Sequence, residues 1–148
     1  MGLGDLIAGE HVVVGLRVAD KAQLLQELAK RAGDALALDR RAIFDALHGR
    51  ENLGSTGLGK GFALPHARLA GLREPFALFA RLARPIDFAA IDQRKVDLAV
   101  LLLSPADNGS QHLATLAALS RPLRNEGFLQ QLRRAPDAAA LHALLAGA

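Results

Sequence analysis

The 148-residue chain contains no cysteine, which excludes disulfides and thiolate metal sites and leaves burial and hydrogen bonding to hold the fold. It has no tryptophan or tyrosine either. Its six aromatic residues are all phenylalanine, so Leu, Ala, Val and Ile must build the core, and no aromatic set is present for stacking nucleic-acid bases. No apolar run reaches the roughly 18 residues that a membrane-spanning helix needs; the best, Val96–Leu103, has the length of a buried strand. The opening MGLGDLIAGEH carries Asp5 and Glu10 and no basic segment, so a secretory signal is not expected. Basic residues form no run. The net charge of +3 is spread as arginines among acids, which implies a solvated surface or a docking face for an acidic protein, and not a nucleic-acid partner. Repeats, low-complexity tracts and linkers are missing as well. The expectation is one cytoplasmic domain over residues 1–148, without direct membrane insertion.

What is present reads as alternating strands and helices. HVVVGLRV (11–18) is β-rich. Asp20, with Gln23 three residues on, suits the start of a helix whose Leu24, Leu25, Leu28 and Ala32 recur at helical spacing. Asp39 opens a second helix with Ile43, Phe44 and Leu47 on one face, ending near Gly49. FALFARL (76–82) and VDLAVLLL (96–103) are strands separated by the turn-rich ARPIDFAAIDQRK, and the near-continuous apolarity of the second suits a strand covered on both faces. A helix from about residue 110 to Leu123 follows, then two more behind the caps Asn125 and Asp137. The fold class predicted is α/β, a mixed sheet flanked by helices.

Between the second helix and the 76–82 strand lies GSTGLGKGFALPHARL (54–69). Gly54, Gly57, Gly59 and Gly61 permit positive φ and close approach by another molecule, at an entropic cost that an ordinary surface loop has no need to bear. Pro65 fixes its own φ and holds Leu64 extended, so His66 leaves a stiffened backbone. Gly54–Lys60 also fits the opening of a phosphate-binding P-loop, but Gly61 stands where Ser or Thr should bind Mg²⁺, and the required strand-to-helix context is missing.

Two more residues carry a chemical signal. Arg50 extends the inward stripe of Ile43 and Leu47, where a guanidinium needs an anionic partner or water. It is either a salt bridge to Glu51 or an aspartate, or an anion clamp beside the glycine segment. His112 falls in the first turn of its helix, on one stripe with Leu116, Leu119 and Leu123. It is either a core histidine satisfied by a backbone carbonyl or a neutral ring offering an N–H to an anion, since a helix N-terminus disfavours imidazolium. His11, His48 and His142 have no comparable context and are expected at the surface, and no metal-ligand spacing links the histidines. Arginine, the hydroxyls of Ser55 and Thr56, glycine amides and two histidines together suit phosphoryl transfer to an imidazole, which needs positioning and charge neutralisation and no cofactor.

In RENLGSTGLGKGFALPHARL (50–69), PIDFAAIDQRKVDLAVLLLSPAD (85–107) and HLATLAALSRPLRN (112–125), the chain resembles the type-2 (fructose/mannitol) enzyme IIA family of the bacterial phosphotransferase system, especially its nitrogen-regulatory branch. The likeness runs from the first helix to the last. It implies that His66 is the phosphorylated nucleophile, with Arg50 and His112 as active-site partners and Ser55, Thr56, Gly57, Gly59 and Gly61 supporting the phosphate loop. Lys60 stands where close relatives usually have Asn, and Ala67 where many have Gly. In the nitrogen branch an HPr-like phosphocarrier protein supplies the phosphate, and the phosphorylation state controls partners such as potassium-transport or sensor-kinase proteins. The alternative is a sugar-transport component that passes the phosphate to an enzyme IIB. A third reading, an adaptor independent of phosphate, fits poorly with an intact His66, Arg50 and His112.

Overall fold

The computed structural model describes residues 2–148. A short helix α1 (Leu3–Leu6) and a turn of 3₁₀ helix lead into strand β1 (Val12–Leu16), followed by α2 (Lys21–Leu36) and α3 (Arg40–Glu51). Three short strands come next, β2 (Gly57–Gly59), β3 (Phe62–Ala63) and β4 (His66–Leu69), then the long β5 (Phe76–Ile86) and β6 (Val96–Pro105). Helices α4 (Gly109–Leu123), α5 (Glu126–Arg134) and α6 (Ala138–Ala146) complete the chain.

The caps read from the sequence are in place. Asp20, Asp39, Asn125 and Asp137 each accept a backbone N–H of the first turn they open, and Gln23 returns a bond to the amide of Ala19. Asn108 does the same for α4 through Gln111 N at 3.0 Å.

The sheet is mixed, in the order β1-β5-β6-β3-β2, with β4 continuing along β6 beyond β3. β5 and β6 are antiparallel; β1 runs parallel to β5, and β3 and β4 run parallel to β6. Alternation along β6 divides its side chains between two cores. Ala99, Leu101 and Leu103 pack with Leu24, Leu28, Ile43 and Leu47 of α2 and α3. Leu98, Val100 and Leu102 pack with Leu119, Leu129, Leu132 and Leu141 of α4 to α6. The sheet therefore lies between two helical layers, which is why the apolar run of 96–103 shows no polar alternation.

Three expectations are corrected. The segment 54–69 is no free loop: it forms the β2–β3 hairpin and β4, whose apolar residues Phe62, Ala63, Ala67 and Leu69 are all buried. Helix α3 passes Gly49 and ends at Glu51, because glycine at about 1 kcal/mol weakens a helix without stopping it, and Asn52 N still bonds His48 O. β5 extends to Ile86, which pairs with Val96 after an irregular stretch that accommodates Pro85.

The two-sided burial sets a stability test. Leu101 is fully buried and Leu58 on β2 is 47% exposed. Leu101→Ala should destabilise by about 2–5 kcal/mol, and Leu58→Ala by no more than about 0.5 kcal/mol. Urea unfolding with an unchanged m-value measures both, and equal losses would contradict this layering.

Candidate active site

His66 is the first residue of β4, and it is positioned from both sides. Its register partner on β6 is Leu102, whose N–H bonds Pro65 O at 3.0 Å, while Leu64 N bonds Thr56 O at 2.9 Å. The half-buried imidazole turns back on its own chain, with Nδ1 2.7 Å from Leu64 O. A carbonyl can only accept, so Nδ1 carries the hydrogen and Nε2 keeps its lone pair free. Strand β6 then leads through Ser104 and Asn108 into α4, whose first turn carries His112. The two imidazole centroids stand 5.6 Å apart, inclined at 44°. His112 is only 9% exposed. Its Nδ1 meets no carbonyl but the hydroxyl of Ser104, at 2.7 Å.

Arg50 lies in the last turn of α3, with Nη1 donating to Gly54 O at 3.0 Å. The salt bridge weighed from the sequence does not form. Among the described residues Arg50 makes no ion pair, because Glu51 is already engaged: its carboxylate accepts from Lys21 Nζ at 2.8 Å, from Thr56 N at 3.1 Å and from the Thr56 hydroxyl. Glu51 is buried and binds the end of α3, the start of α2 and the segment before β2 into one polar knot, with Lys21 also lying over the Phe88 ring at 4.5 Å. Arg50 is left as a guanidinium held by a backbone carbonyl.

The structure thus brings His66, His112 and Arg50 to one place, and it sets the remaining predicted residues around the hairpin. Ser55 Oγ donates to Phe88 O at 3.2 Å and accepts from Gly57 N at 3.0 Å, and Thr56 is tied to Glu51. A Cβ on Gly57 would come within 2.7 Å of Ala90 Cβ, so the close approach that requires glycine there is internal packing. Gly61 has φ +80° and lies against Asp97 and Arg133, and Gly59 has Asp92 beside it. Lys60, at φ 60°, occupies the left-handed conformation that asparagine adopts more easily; its Nζ caps α4 by donating to Arg124 O at 2.9 Å.

Sequence reasoning missed Ser104 and took Glu51 only as a possible partner of Arg50. A serine at the end of an apolar strand and a glutamate next to an inward arginine were the available signals. Arg68, two residues beyond His66, is turned to the start of α4: its guanidinium bonds Ala106 O and lies beside Gly109. Of the other histidines, His48 is exposed and stacked on Phe44, as expected. His11 and His142 are half-buried instead, His11 edge-on to Phe76 and His142 with Nε2 3.0 Å from Ile7 O, because the N-terminal turns fold back over α6 and β5.

Burial holds the His66 pKa below the usual histidine value; the bond to Leu64 O opposes this, the Arg50 charge adds to it, and Glu51 opposes it more weakly. Burial likewise lowers the His112 pKa, helped by His66 and Arg68. Both shifts favour the neutral ring, and the guanidinium whose charge acts on His66 is held by the Gly54 carbonyl. A neutral imidazole with an unprotonated Nε2 and a nearby cation have the chemistry to act as nucleophile and counter-charge toward an anion.

Residues 5–148 match the family described as phosphoenolpyruvate-dependent sugar phosphotransferase system, EIIA 2. The chain is 44% identical over 146 residues to a nitrogen regulatory protein of Bradyrhizobium diazoefficiens, covering 99% of this chain and 95% of that one. It is 39% identical over 124 residues to a fructose-specific EIIA component of Haloferax volcanii, covering 84% and 79%. Its fold superimposes on the crystal structure of the nitrogen regulatory protein IIA-Ntr from Neisseria meningitidis with a TM-score of 0.90 and 31% identity, covering 97% and 98%.

The electrostatics give a titration test. Both site imidazoles should protonate below the ordinary 6.5, because burial penalises the cation. Removing the Arg50 charge removes one contribution that lowers the His66 value, so Arg50→Ala should move its midpoint upward. Histidine NMR titration reads both. A His66 midpoint at or above 6.5, or one unmoved in Arg50→Ala, would contradict the assigned field.

Proposed function

The chain belongs to the EIIA 2 family of the phosphoenolpyruvate-dependent sugar phosphotransferase system, and from that premise we propose that it is a regulatory phosphocarrier phosphorylated on His66. The observation that carries this reading is the hydrogen bond from His66 Nδ1 to Leu64 O, which leaves Nε2 unprotonated on a ring that stands 5.6 Å from the His112 ring and feels the Arg50 charge.

In the proposed step, an HPr-like phosphocarrier presents its phosphoryl group in line with His66 Nε2. The Nε2 lone pair forms the new N–P bond while the donor's bond to phosphorus breaks and the donor nitrogen leaves with that electron pair. The hydrogen stays on Nδ1, donated to Leu64 O, throughout, so no proton has to move on this side of the reaction. Arg50 meets charge on the phosphoryl oxygens as it spreads in a loose transition state. No metal ligand and no cofactor enters.

A macromolecular donor suits the surface. The large apolar side chains exposed among the described residues are Leu53, Leu58, Ile91 and Leu113. Leu53 lies three residues beyond Arg50, Leu113 follows His112, and Ile91 N bonds Gly57 O beside Leu58. Apolar residues among arginines form the kind of face that docks a protein with carboxylates at its rim. Phosphorylation adds negative charge to this face without requiring the buried sheet to move. Output partners, such as potassium-transport or sensor-kinase proteins, would then bind the unphosphorylated form more tightly. The nitrogen regulatory relatives, aligned over almost their whole length, support regulation. The second reading, transfer to an enzyme IIB in sugar uptake, is favoured by the fructose-specific EIIA component from Haloferax volcanii.

Incubation with phosphoenolpyruvate, enzyme I and an HPr-type carrier should yield an acid-labile phosphoprotein. His66→Ala should abolish labelling. Arg50→Ala should slow it by about 30-fold or more, the equivalent of a charge-assisted contact worth about 2–5 kcal/mol. Arg50→Lys should rescue in part, as a point charge cannot replace the planar fork. Full labelling of His66→Ala would overturn the proposal.

A further inference from the structure

We propose that Ser104 is a positioning residue that locks His112 as its Nε2–H tautomer, opposite to His66, so that the second imidazole offers an N–H to a phosphoryl group on the first. The tautomer follows from hydrogen-bond chemistry alone; only its use in phosphoryl transfer rests on the reading of His66 given above.

Ser104 sits on β6 opposite Arg68 of β4 and is 0% exposed. A hydroxyl buried to this extent has one hydrogen to place and no water to take it, and leaving it unplaced is costly. Among the described residues, its Oγ has one partner, His112 Nδ1 at 2.7 Å, and no buried side-chain polar atom is unpaired. If Nδ1 carried the proton, it would occupy the acceptor site and the hydroxyl hydrogen would have nowhere to go. The hydroxyl therefore donates, Nδ1 accepts, and the single proton of the neutral ring lies on Nε2.

The two imidazoles then differ because their Nδ1 neighbours differ in chemistry. Leu64 presents a carbonyl, which can only accept, and so His66 keeps its hydrogen on Nδ1 and a bare Nε2. Ser104 presents a hydroxyl with no other acceptor, and so His112 is bare at Nδ1 and protonated at Nε2. One ring is thus a nucleophile and the other a hydrogen-bond donor, although both are neutral histidines 5.6 Å apart. Once a phosphoryl group is bonded to His66 Nε2, its oxygens are acceptors for the N–H that Ser104 has fixed on the facing ring. This is an anion-stabilising donor that needs no reorganisation at the moment of transfer.

Long-range ¹H–¹⁵N NMR of the unphosphorylated protein, above the range where either ring is cationic, should show Nε2 protonated in His112 and Nδ1 protonated in His66. Ser104→Ala removes the hydroxyl with little change in volume. It should convert His112 to a mixture of tautomers and slow labelling of His66 by roughly tenfold, the low end of what losing an imidazole's orienting partner costs in metal sites. Ser104→Thr, which keeps the hydroxyl, should restore both. A wild-type His112 protonated on Nδ1 would overturn the proposal, as would a Ser104→Ala spectrum with unchanged tautomers. If the wild-type tautomers are as stated and His66 accepts no phosphoryl group from phosphoenolpyruvate, enzyme I and an HPr-type carrier, the functional reading fails while the Ser104 lock stands.

Discussion

Strand β6 is apolar in both alternations because both of its faces are covered, and the geometry of the site follows from that burial. On one edge it pairs with β4, setting His66 opposite Leu102; at its end it leads through Ser104 into α4 and His112. Neither histidine is placed by a flexible loop. Each is referred to the same buried strand, one by sheet register and the other by a side-chain hydrogen bond. A rigid shared reference of this kind keeps two rings at a working distance without a ligand or metal to hold them.

Arg50 belongs to a different part of the framework. It ends α3, and α3 is fastened to the sheet by Glu51, which gathers Lys21 and Thr56 in a buried cluster. Glu51 thereby serves two purposes. It joins the helix layer to the segment before β2, and by accepting from those partners it leaves its neighbour Arg50 without an internal carboxylate. A guanidinium resting on a single carbonyl keeps most of its five donors for an incoming anion. The carboxylate nearest to Arg50 in sequence is thus satisfied elsewhere, as the proposed role of the cation toward a phosphoryl group requires.

Much of this was legible in the sequence. Helix caps declared themselves through Asp20, Asp39, Asn125 and Asp137, and the length of the 96–103 apolar run called for a doubly covered strand. His66, Arg50 and His112 stood out through Pro65, an inward helical stripe and a first-turn position. The hairpin was not legible. Four glycines and a proline carry turn signals, and they masked strands of two to four residues, of which β3 and β4 depend on pairing with β6, far along the chain, and β2 on pairing with β3. Ser104 was hidden for the same reason, because sequence spacing carries no information on which side chains meet across a sheet. Likewise the glycines invited a phosphate-cradle reading, and the folded chain sets Gly57 against Ala90 and Gly61 against Asp97 and Arg133.

The central claim is that Leu64 O, by holding the hydrogen of His66 on Nδ1, dictates which nitrogen is free to react. The most direct test is ¹⁵N- and ³¹P-resolved NMR of the chain after phosphorylation by its donor proteins. The account predicts phosphorus bonded to Nε2 of His66, with the Nδ1 hydrogen still present and bonded to Leu64 O. Phosphorus on Nδ1 of His66, or on His112, would contradict it.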